Sequence, residues 1–232
     1  MNKLTRLAIV IGSSFAATIS AYANLYTIGQ AVSVQEVGVS PTQVVTIQST
    51  VGDTIGTWNV YAGVTQLKVD GVATNSFCID PYQWSSSSAV PYIVKDLASA
   101  PVTEFSATVT PAMGAVAAQT VSKLWAKYYQ SALGDAGVAA GLQIAIWETV
   151  AGDNFAVTGD LYGYQEMIAD VTTGADARIA PANLVAVSST TNQDYVVLNV
   201  PDGGMTVALL GFGMVALAIV RRRTQPVVVT TK

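Results

Sequence analysis

The chain of 232 residues contains no histidine. This absence excludes Ser-His-Asp and Cys-His catalysis, and it excludes every zinc site with a histidine ligand. The sequence also lacks the Gly-x-x-x-x-Gly-Lys phosphate loop and the glycine fingerprint of dinucleotide-binding proteins. We therefore predict a protein that is not a turnover enzyme and that uses neither a cofactor nor a metal.

Charged residues are also scarce. They make up 11% of the chain, whereas a soluble domain usually has about 25%. Lysine and arginine number 11 against 15 acidic residues, which gives a formal net charge of −4. Because nucleic-acid affinity comes largely from cationic contacts with phosphate, the sequence predicts no nucleic-acid partner.

The chain has a single cysteine, Cys78, so an intramolecular disulfide is impossible. A free cysteine is most often a small buried hydrophobic residue, and an inert core position is its ordinary interpretation. In an exported protein, however, an odd cysteine calls for an explanation.

The N-terminal segment has the three parts of a secretory signal peptide. Lys3 and Arg6 precede an apolar run from Leu7 to Ile19, and Ala21-Tyr22-Ala23 follows. Small residues at Ala21 and Ala23 suit signal peptidase, so we predict a signal peptide over residues 1–23. A buried first helix is the alternative interpretation.

The C-terminal segment combines a short polar motif, an apolar stretch and a basic cluster. The motif consists of Val200, Pro201, Asp202, Gly203 and Gly204, and the cluster consists of Arg221, Arg222 and Arg223. The 16 or so apolar residues between them would span roughly 24 Å as a helix, slightly less than a hydrocarbon core of about 30 Å. The arginines favour the cytoplasmic side, so the segment predicts a transmembrane helix that stops translocation.

This three-part arrangement resembles the PEP-CTERM class of sorting signals, and its closest form is the VPDSG variant. The resemblance implies that an exosortase, a membrane protease, cuts near the motif and releases or transfers the body to the cell exterior. We therefore expect an inner-membrane intermediate with only transient membrane contact, and then a location at the cell surface or in the extracellular matrix. Residues 224–232 form a short tail.

Residues 24–199 suffice for one domain with a sizeable core. Segments rich in β-branched residues, a hairpin signal at Asp70-Gly71 and a closing strand at Tyr195–Leu198 predict a sheet. Helical spacing predicts three helices. They run from Pro111 to about Leu133, from Val138 to Val150, and from Leu161 to Val171. We predict an α+β fold, with sandwich- or barrel-like strands and an inserted helical subdomain.

Two motifs could carry chemistry: Phe77-Cys78-Ile79-Asp80 and the segment from Leu142 to Glu148. They resemble the paired motifs of bacterial surface thioester domains of the Cys-Gln type. The resemblance implies that the sulfur of Cys78 and the side-chain acyl group of Gln143 form an internal thioester. By the same resemblance, the aromatic neighbours Phe77 and Trp147 would shield that bond from water.

Three functions remain open at this point. The first is a covalent adhesin, whose thioester acylates amines on a partner surface protein or matrix. The second is a non-covalent structural protein of the exopolysaccharide or biofilm matrix. The third is a glycoside hydrolase that uses carboxylates such as Asp80 and Glu148, although the sequence marks out no carboxylate pair.

Overall fold

The computed structural model describes residues 26–105 and 110–199. Tyr26–Asn199 form a compact unit of their own, so the body has its own core. The strands are β1 (Ala31–Ser49), β2 (Gly56–Val69), β3 (Val72–Cys78), β4 (Val90–Asp96), β5 (Phe155–Thr158), β6 (Leu184–Ser188) and β7 (Tyr195–Leu198). The α-helices are α1 (Gly114–Ala132), α2 (Ala136–Val150) and α3 (Tyr164–Thr172).

The seven strands form one antiparallel sheet that closes on itself. Its order is β2-β3-β7-β6-β4-β1-β5, and an additional pairing of β2 with β1 completes a ring of six strands. The start of β1 pairs with β4, and its end pairs with β5. The β1–β2 register shifts between Glu36 and Gly38, as at a β-bulge, a feature that re-aims neighbouring side chains.

Alternation of side chains places one face of the long β1–β2 pair in the core. Val34, Val45 and Ile47 of β1 are buried, as are Leu67 and Val69 of β2. The β2–β3 connection is tight because Asp70 and Gly71 both have positive φ, 50° and 82°. Positive φ at both central residues is the requirement of a type I′ hairpin turn. The hairpin that Asp70-Gly71 predicted is confirmed.

Helix α2 is the most buried of the three α-helices, and it contacts β1, β2, α1 and α3. Its residues from Ala139 to Trp147 are all buried. The Asp135 side chain caps it by accepting hydrogen bonds from the backbone N–H groups of Gly137 and Val138. A Cβ at Gly141 would lie only 2.4 Å from the backbone oxygen of Tyr162. Helix α2 thus holds its side chains in fixed positions against the sheet.

The predicted α+β class is confirmed, because three helices pack on an antiparallel sheet. Each predicted helix exists; the end of α2 at Val150 is as predicted, and the other boundaries differ by one to three residues. Strands β5 and β6 were not predicted from the sequence. None of the described helices is long and apolar enough to cross a membrane.

The predicted terminal signals lie outside the described residues. They comprise the cleavage site at Ala21 and Ala23, the motif Val200–Gly204, the apolar segment after it and the arginines at 221–223.

Candidate functional site

Cys78 is the last residue of β3, at a place where the pairing of β3 with β2 has ended. The β2–β3 pairing stops at Thr65 and Ser76, whereas Cys78 still pairs with Tyr195 of β7. One edge of the Cys78 backbone is therefore left without a strand partner. The side chain is 4% exposed and belongs to the core cluster that also contains Trp147 and Phe155.

Gln143 of α2 occupies that free edge. Its Oε1 accepts a hydrogen bond from the backbone N–H of Cys78 at 3.0 Å, and its Nε2 donates to the Cys78 carbonyl oxygen at 2.8 Å. The two bonds together resemble the reciprocal pair between residues of antiparallel strands. Gln143 is 1% exposed, so this carboxamide is held in the protein interior against the residue that carries the thiol.

The sulfur of Cys78 has polar contacts on two sides. The indole Nε1–H of Trp147 donates to Sγ at 3.2 Å, and the thiol itself donates to the backbone oxygen of Asp80 at 3.3 Å. Trp147 follows Gln143 by four residues, and therefore lies on the same face of α2. Its ring meets Phe155 edge-on, with centroids 5.8 Å apart.

Burial raises the pKa of the Cys78 thiol well above its usual value. The Trp147 hydrogen bond opposes this shift, and the negative charge of Asp80 adds to it. The sulfur is thus protonated at neutral pH, so it is a weak nucleophile until a proton leaves. A donor aimed at the sulfur, as Trp147 provides, would stabilise a thiolate there.

The Gln143 carbonyl is polarised by the same geometry. A backbone N–H directed at a carbonyl oxygen stabilises the negative charge that develops when a nucleophile attacks the carbon. The site therefore combines a thiol, a carboxamide held on the same residue's backbone, and donors for both the oxygen and the sulfur.

A cavity of about 260 Å³ adjoins these groups and extends to the surface. Cys78, Gln143 and Trp147 line it, and the exposed rings of Tyr61 and Trp84 flank it. Trp84 is supported by an edge-on contact with Trp58, at 5.6 Å between centroids. A small molecule or a protruding side chain could therefore reach the site from solvent.

Two buried carboxyl groups lie beside the site, on Asp80 and Asp194. Desolvation raises the pKa of Asp80 to about 7, although backbone N–H groups, chiefly that of Tyr82, oppose the shift. Desolvation also raises the pKa of Asp194, and the Asp80 charge adds to that effect. Asp194 accepts hydrogen bonds from the N–H groups of Val102 and Ser189, each at 2.6 Å. The first bond ties the loop after β4 to the start of β7, and the second closes the turn between β6 and β7.

The structure turns the predicted shield Phe77 away from the sulfur. Phe77 is fully buried in the second core cluster and meets Trp125 edge-on at 5.5 Å, because successive strand residues face opposite sides. It anchors β3 from that other face. Neither Asp80 nor Glu148 lines the cavity, so the structure offers no reason to pair them as glycosidase carboxylates. The described residues contain no group of three or more potential metal ligands.

Sequence reasoning missed Glu36 and Gln83, which line the same cavity. Glu36 accepts a hydrogen bond from the Tyr195 hydroxyl at 2.9 Å. Gln83 is fully buried and donates through Nε2 to the Thr190 carbonyl oxygen at 2.8 Å. Neither residue belongs to a recognisable motif, and only the closure of the sheet brings β1 beside the loop after β3.

Comparison with known proteins bears on the C-terminus alone. A family model described as the VPDSG-CTERM motif matches residues 199–224. The match includes the whole predicted motif and the arginine cluster, with Gly203 at the position where the motif's name has serine. No curated protein and no solved structure matches the chain. The chain therefore carries a PEP-CTERM-like, exosortase-type sorting signal, which directs it toward the cell surface.

Proposed function

We propose that this protein is a covalent surface adhesin, in which Cys78 and Gln143 form an internal thioester that acylates amines on a partner. The observation that carries the proposal is the seating of the Gln143 carboxamide on both backbone groups of Cys78. The hydrogen bond from Trp147 to the sulfur supports it, as does burial of the two side chains, 4% and 1% exposed.

The bond would form by acyl transfer within the chain. The Cys78 thiol loses its proton and its sulfur attacks Cδ of Gln143, while the Cys78 backbone N–H stabilises the resulting oxyanion. The C–N bond then breaks. The departing NH₂ group takes up the proton that the thiol lost and leaves as ammonia. The products are one thioester and one ammonia.

The thioester would later react once with a primary amine. The amine nitrogen attacks Cδ of Gln143, the C–S bond breaks, and the sulfur leaves as a thiolate that takes up the proton lost by the amine. The result is an amide between Gln143 and the partner, together with a free Cys78 thiol. Because the thioester is not regenerated, the protein would act as a single-use cross-linker without turnover.

Intact-mass measurement of the 24–199 body tests the proposal. We expect a mass lower by one ammonia than the sequence predicts, and we expect methylamine to abolish the deficit by adding at Gln143. The variants Cys78→Ala and Gln143→Ala are matched controls that should both have their full calculated masses. A wild-type body of full mass, with Gln143 intact as glutamine, contradicts the adhesin. The non-covalent matrix protein would then be the function to test.

The sorting signal supports a second part of the proposal, namely a membrane-inserted precursor that is cut near Val200. Substituting alanine for the arginines at 221–223 removes the charges that would hold the tail on the cytoplasmic side. We expect the membrane-inserted precursor to decline and protein that has not been sorted to accumulate. Cell fractionation and blotting measure both. Unchanged processing in this variant would argue against a membrane stop at these arginines.

A further inference from the structure

The wall of the cavity beside Cys78 contains hydrogen-bond acceptors, and none of them forms an ion pair with a lysine or arginine among the described residues. Glu36 contributes a carboxylate, and no lysine or arginine is among the residues that line the cavity. Both ion pairs found among the described residues involve Lys127, on helix α1. Glu36 on β1 pairs with the buried Leu67 of β2, so its side chain is directed inward. Among the described residues, its negative charge has no cationic partner.

Gln83 supplies a second acceptor. Its side chain is fully buried, and its Oε1 has no hydrogen-bond partner among the described residues. The orientation of the amide is fixed because Nε2 donates to the Thr190 carbonyl, which can only accept. A buried acceptor without a partner is destabilising, so its presence in a cavity wall indicates a ligand that donates a hydrogen bond.

A primary alkylammonium group matches this wall. It carries three N–H donors and no acceptor, whereas a hydroxyl offers one donor and two lone pairs. The methylene stem of a lysine-like chain could lie along the apolar rings of Tyr61 and Trp84 at the opening, which are 65% and 43% exposed. Aromatic faces also attract cations, so the same rings favour a charged amine.

We propose that Glu36 and Gln83 are the residues that recognise the acceptor, and that they select a primary alkylammonium over uncharged nucleophiles. This inference rests on the proposed thioester. Before attack the ammonium gives one proton to the Glu36 carboxylate or to solvent, and its nitrogen then bonds to Cδ of Gln143 while the C–S bond breaks. That first proton ends in the bulk solvent, and the second proton, which the nitrogen loses on becoming an amide, ends on the Cys78 sulfur. Glu36 therefore concentrates the amine beside the acyl carbon.

The test compares two nucleophiles on the 24–199 body, by following adduct formation at Gln143 by mass spectrometry. n-Butylamine is cationic at neutral pH, whereas hydroxylamine is uncharged. We expect Glu36→Gln, which retains an acceptor for the Tyr195 hydroxyl, to slow n-butylamine by about tenfold, equivalent to about 1.4 kcal/mol. The rate with hydroxylamine should change by less than about twofold in the same variant. Gln83→Leu should slow n-butylamine by a few-fold.

Glu166→Gln is the matched control, since it removes the same charge from an exposed position on α3. It should leave both rates unchanged. Equal slowing of the two nucleophiles by Glu36→Gln, or no slowing of n-butylamine, overturns this inference while the thioester stands. A wild-type body without the ammonia deficit overturns the proposed function and this inference together.

A second measurement uses the wild-type body and does not depend on the variants folding. Salt screens attraction between a cation and a carboxylate, and the Debye length falls from about 10 Å at 0.1 M to about 3 Å at 1 M. We expect the rate with n-butylamine to fall several-fold over this range, whereas the rate with hydroxylamine should stay constant. A salt-independent n-butylamine rate would contradict recognition by Glu36.

Discussion

The indole nitrogen of Trp147 lies 3.2 Å from the sulfur of Cys78 and donates a hydrogen bond to it. Trp147 is 4% exposed, and its ring is fixed by an edge-on contact with Phe155. The donor is therefore preorganised, so it costs no rearrangement when negative charge develops on the sulfur. In the proposed thioester chemistry, this contact would stabilise the departing sulfur in addition to packing the ring.

Replacing Trp147 by phenylalanine keeps an aromatic ring in the core but removes the N–H. We expect the thioester in this variant to react with methylamine about tenfold more slowly, because the departing thiolate loses a hydrogen bond worth about 1.5 kcal/mol. Rates of mass change at Gln143 measure the effect.

The matched control for this prediction is Trp58→Phe. Trp58 is half-exposed and donates through its indole N–H to the Ile55 carbonyl, away from the sulfur. It should react at the wild-type rate. If Trp147→Phe also reacts at the wild-type rate, then Trp147 serves packing alone.

Gln143 should also contribute to stability when no thioester is present. In a Cys78→Ala background the carboxamide still pairs with the backbone N–H and C=O of residue 78. A further Gln143→Ala change leaves both groups buried and unpaired, and we expect a loss of about 2–4 kcal/mol in the free energy of unfolding. Urea denaturation of the single and double variants measures the difference.

The exposed Gln165 of α3 offers the control for that prediction. Gln165→Ala in the same Cys78→Ala background should change stability by less than about 0.5 kcal/mol, as is usual for surface substitutions. A Gln143→Ala cost as small as that of the control would mean that water replaces the carboxamide at the end of β3.

The proximity of Cys78 and Gln143 was predicted from the resemblance of their two short motifs to those of surface thioester domains, since helical spacing and strand alternation assign faces only within each element. The contact itself depends on long-range events that leave no local trace in the sequence. The β2–β3 pairing has to end at Ser76, and α2 has to cross the free edge of β3 at Gln143. The predicted shield Phe77 shows the limit, since alternation along β3 turns it toward Trp125.

The fold class could be predicted from the sequence, whereas the strand pairing that closes the sheet into a ring could not. The helices and the Asp70-Gly71 hairpin have strong local signals, whereas the ring of strands depends on the pairing of β1 with β4 across about 60 residues of chain. Strand β6 is buried at all five positions and so lacks alternation. Glu36 and Gln83 meet at the cavity only because the ring closes, which is why no motif announced them.

Gly141 should be essential to the placement of α2. A Cβ there would lie 2.4 Å from the Tyr162 backbone oxygen and 2.9 Å from Cε of Met167, so the helix or the loop before α3 has to move. We expect Gly141→Ala to destabilise the body by about 1–3 kcal/mol, the usual cost of overpacking. It should also reduce the fraction of molecules that show the ammonia deficit, since Gln143 lies two residues further along the helix.

Gly134→Ala is the control for Gly141→Ala. A Cβ at Gly134 would meet only the Ser131 oxygen, at 4.0 Å. Thermal unfolding and intact mass of the two variants should therefore diverge, with Gly134→Ala close to wild type. Equal behaviour of the two variants would show that α2 tolerates displacement at Gly141.

The buried carboxyl of Asp80 predicts that stability falls as the pH rises. Its pKa is about 7 in the folded protein, against about 3.9 in an unfolded chain. Between these values the native state retains a proton that the unfolded state has released, so the free energy of unfolding decreases with increasing pH. The contribution is fully present below pH 4 and is lost by about pH 7. Asp194 acts in the same direction, because burial also raises its pKa.

We expect the free energy of unfolding, measured by urea denaturation, to fall by on the order of 3 kcal/mol between pH 5 and pH 8. Asp80→Asn keeps an oxygen acceptor for the Tyr82 N–H and cannot ionise, so it should flatten much of this slope. Asp153→Asn, at an exposed position, should retain the wild-type slope. Stability that is constant or rises from pH 5 to pH 8 would show that Asp80 is ionised in the native state, with a compensating donor at its carboxylate.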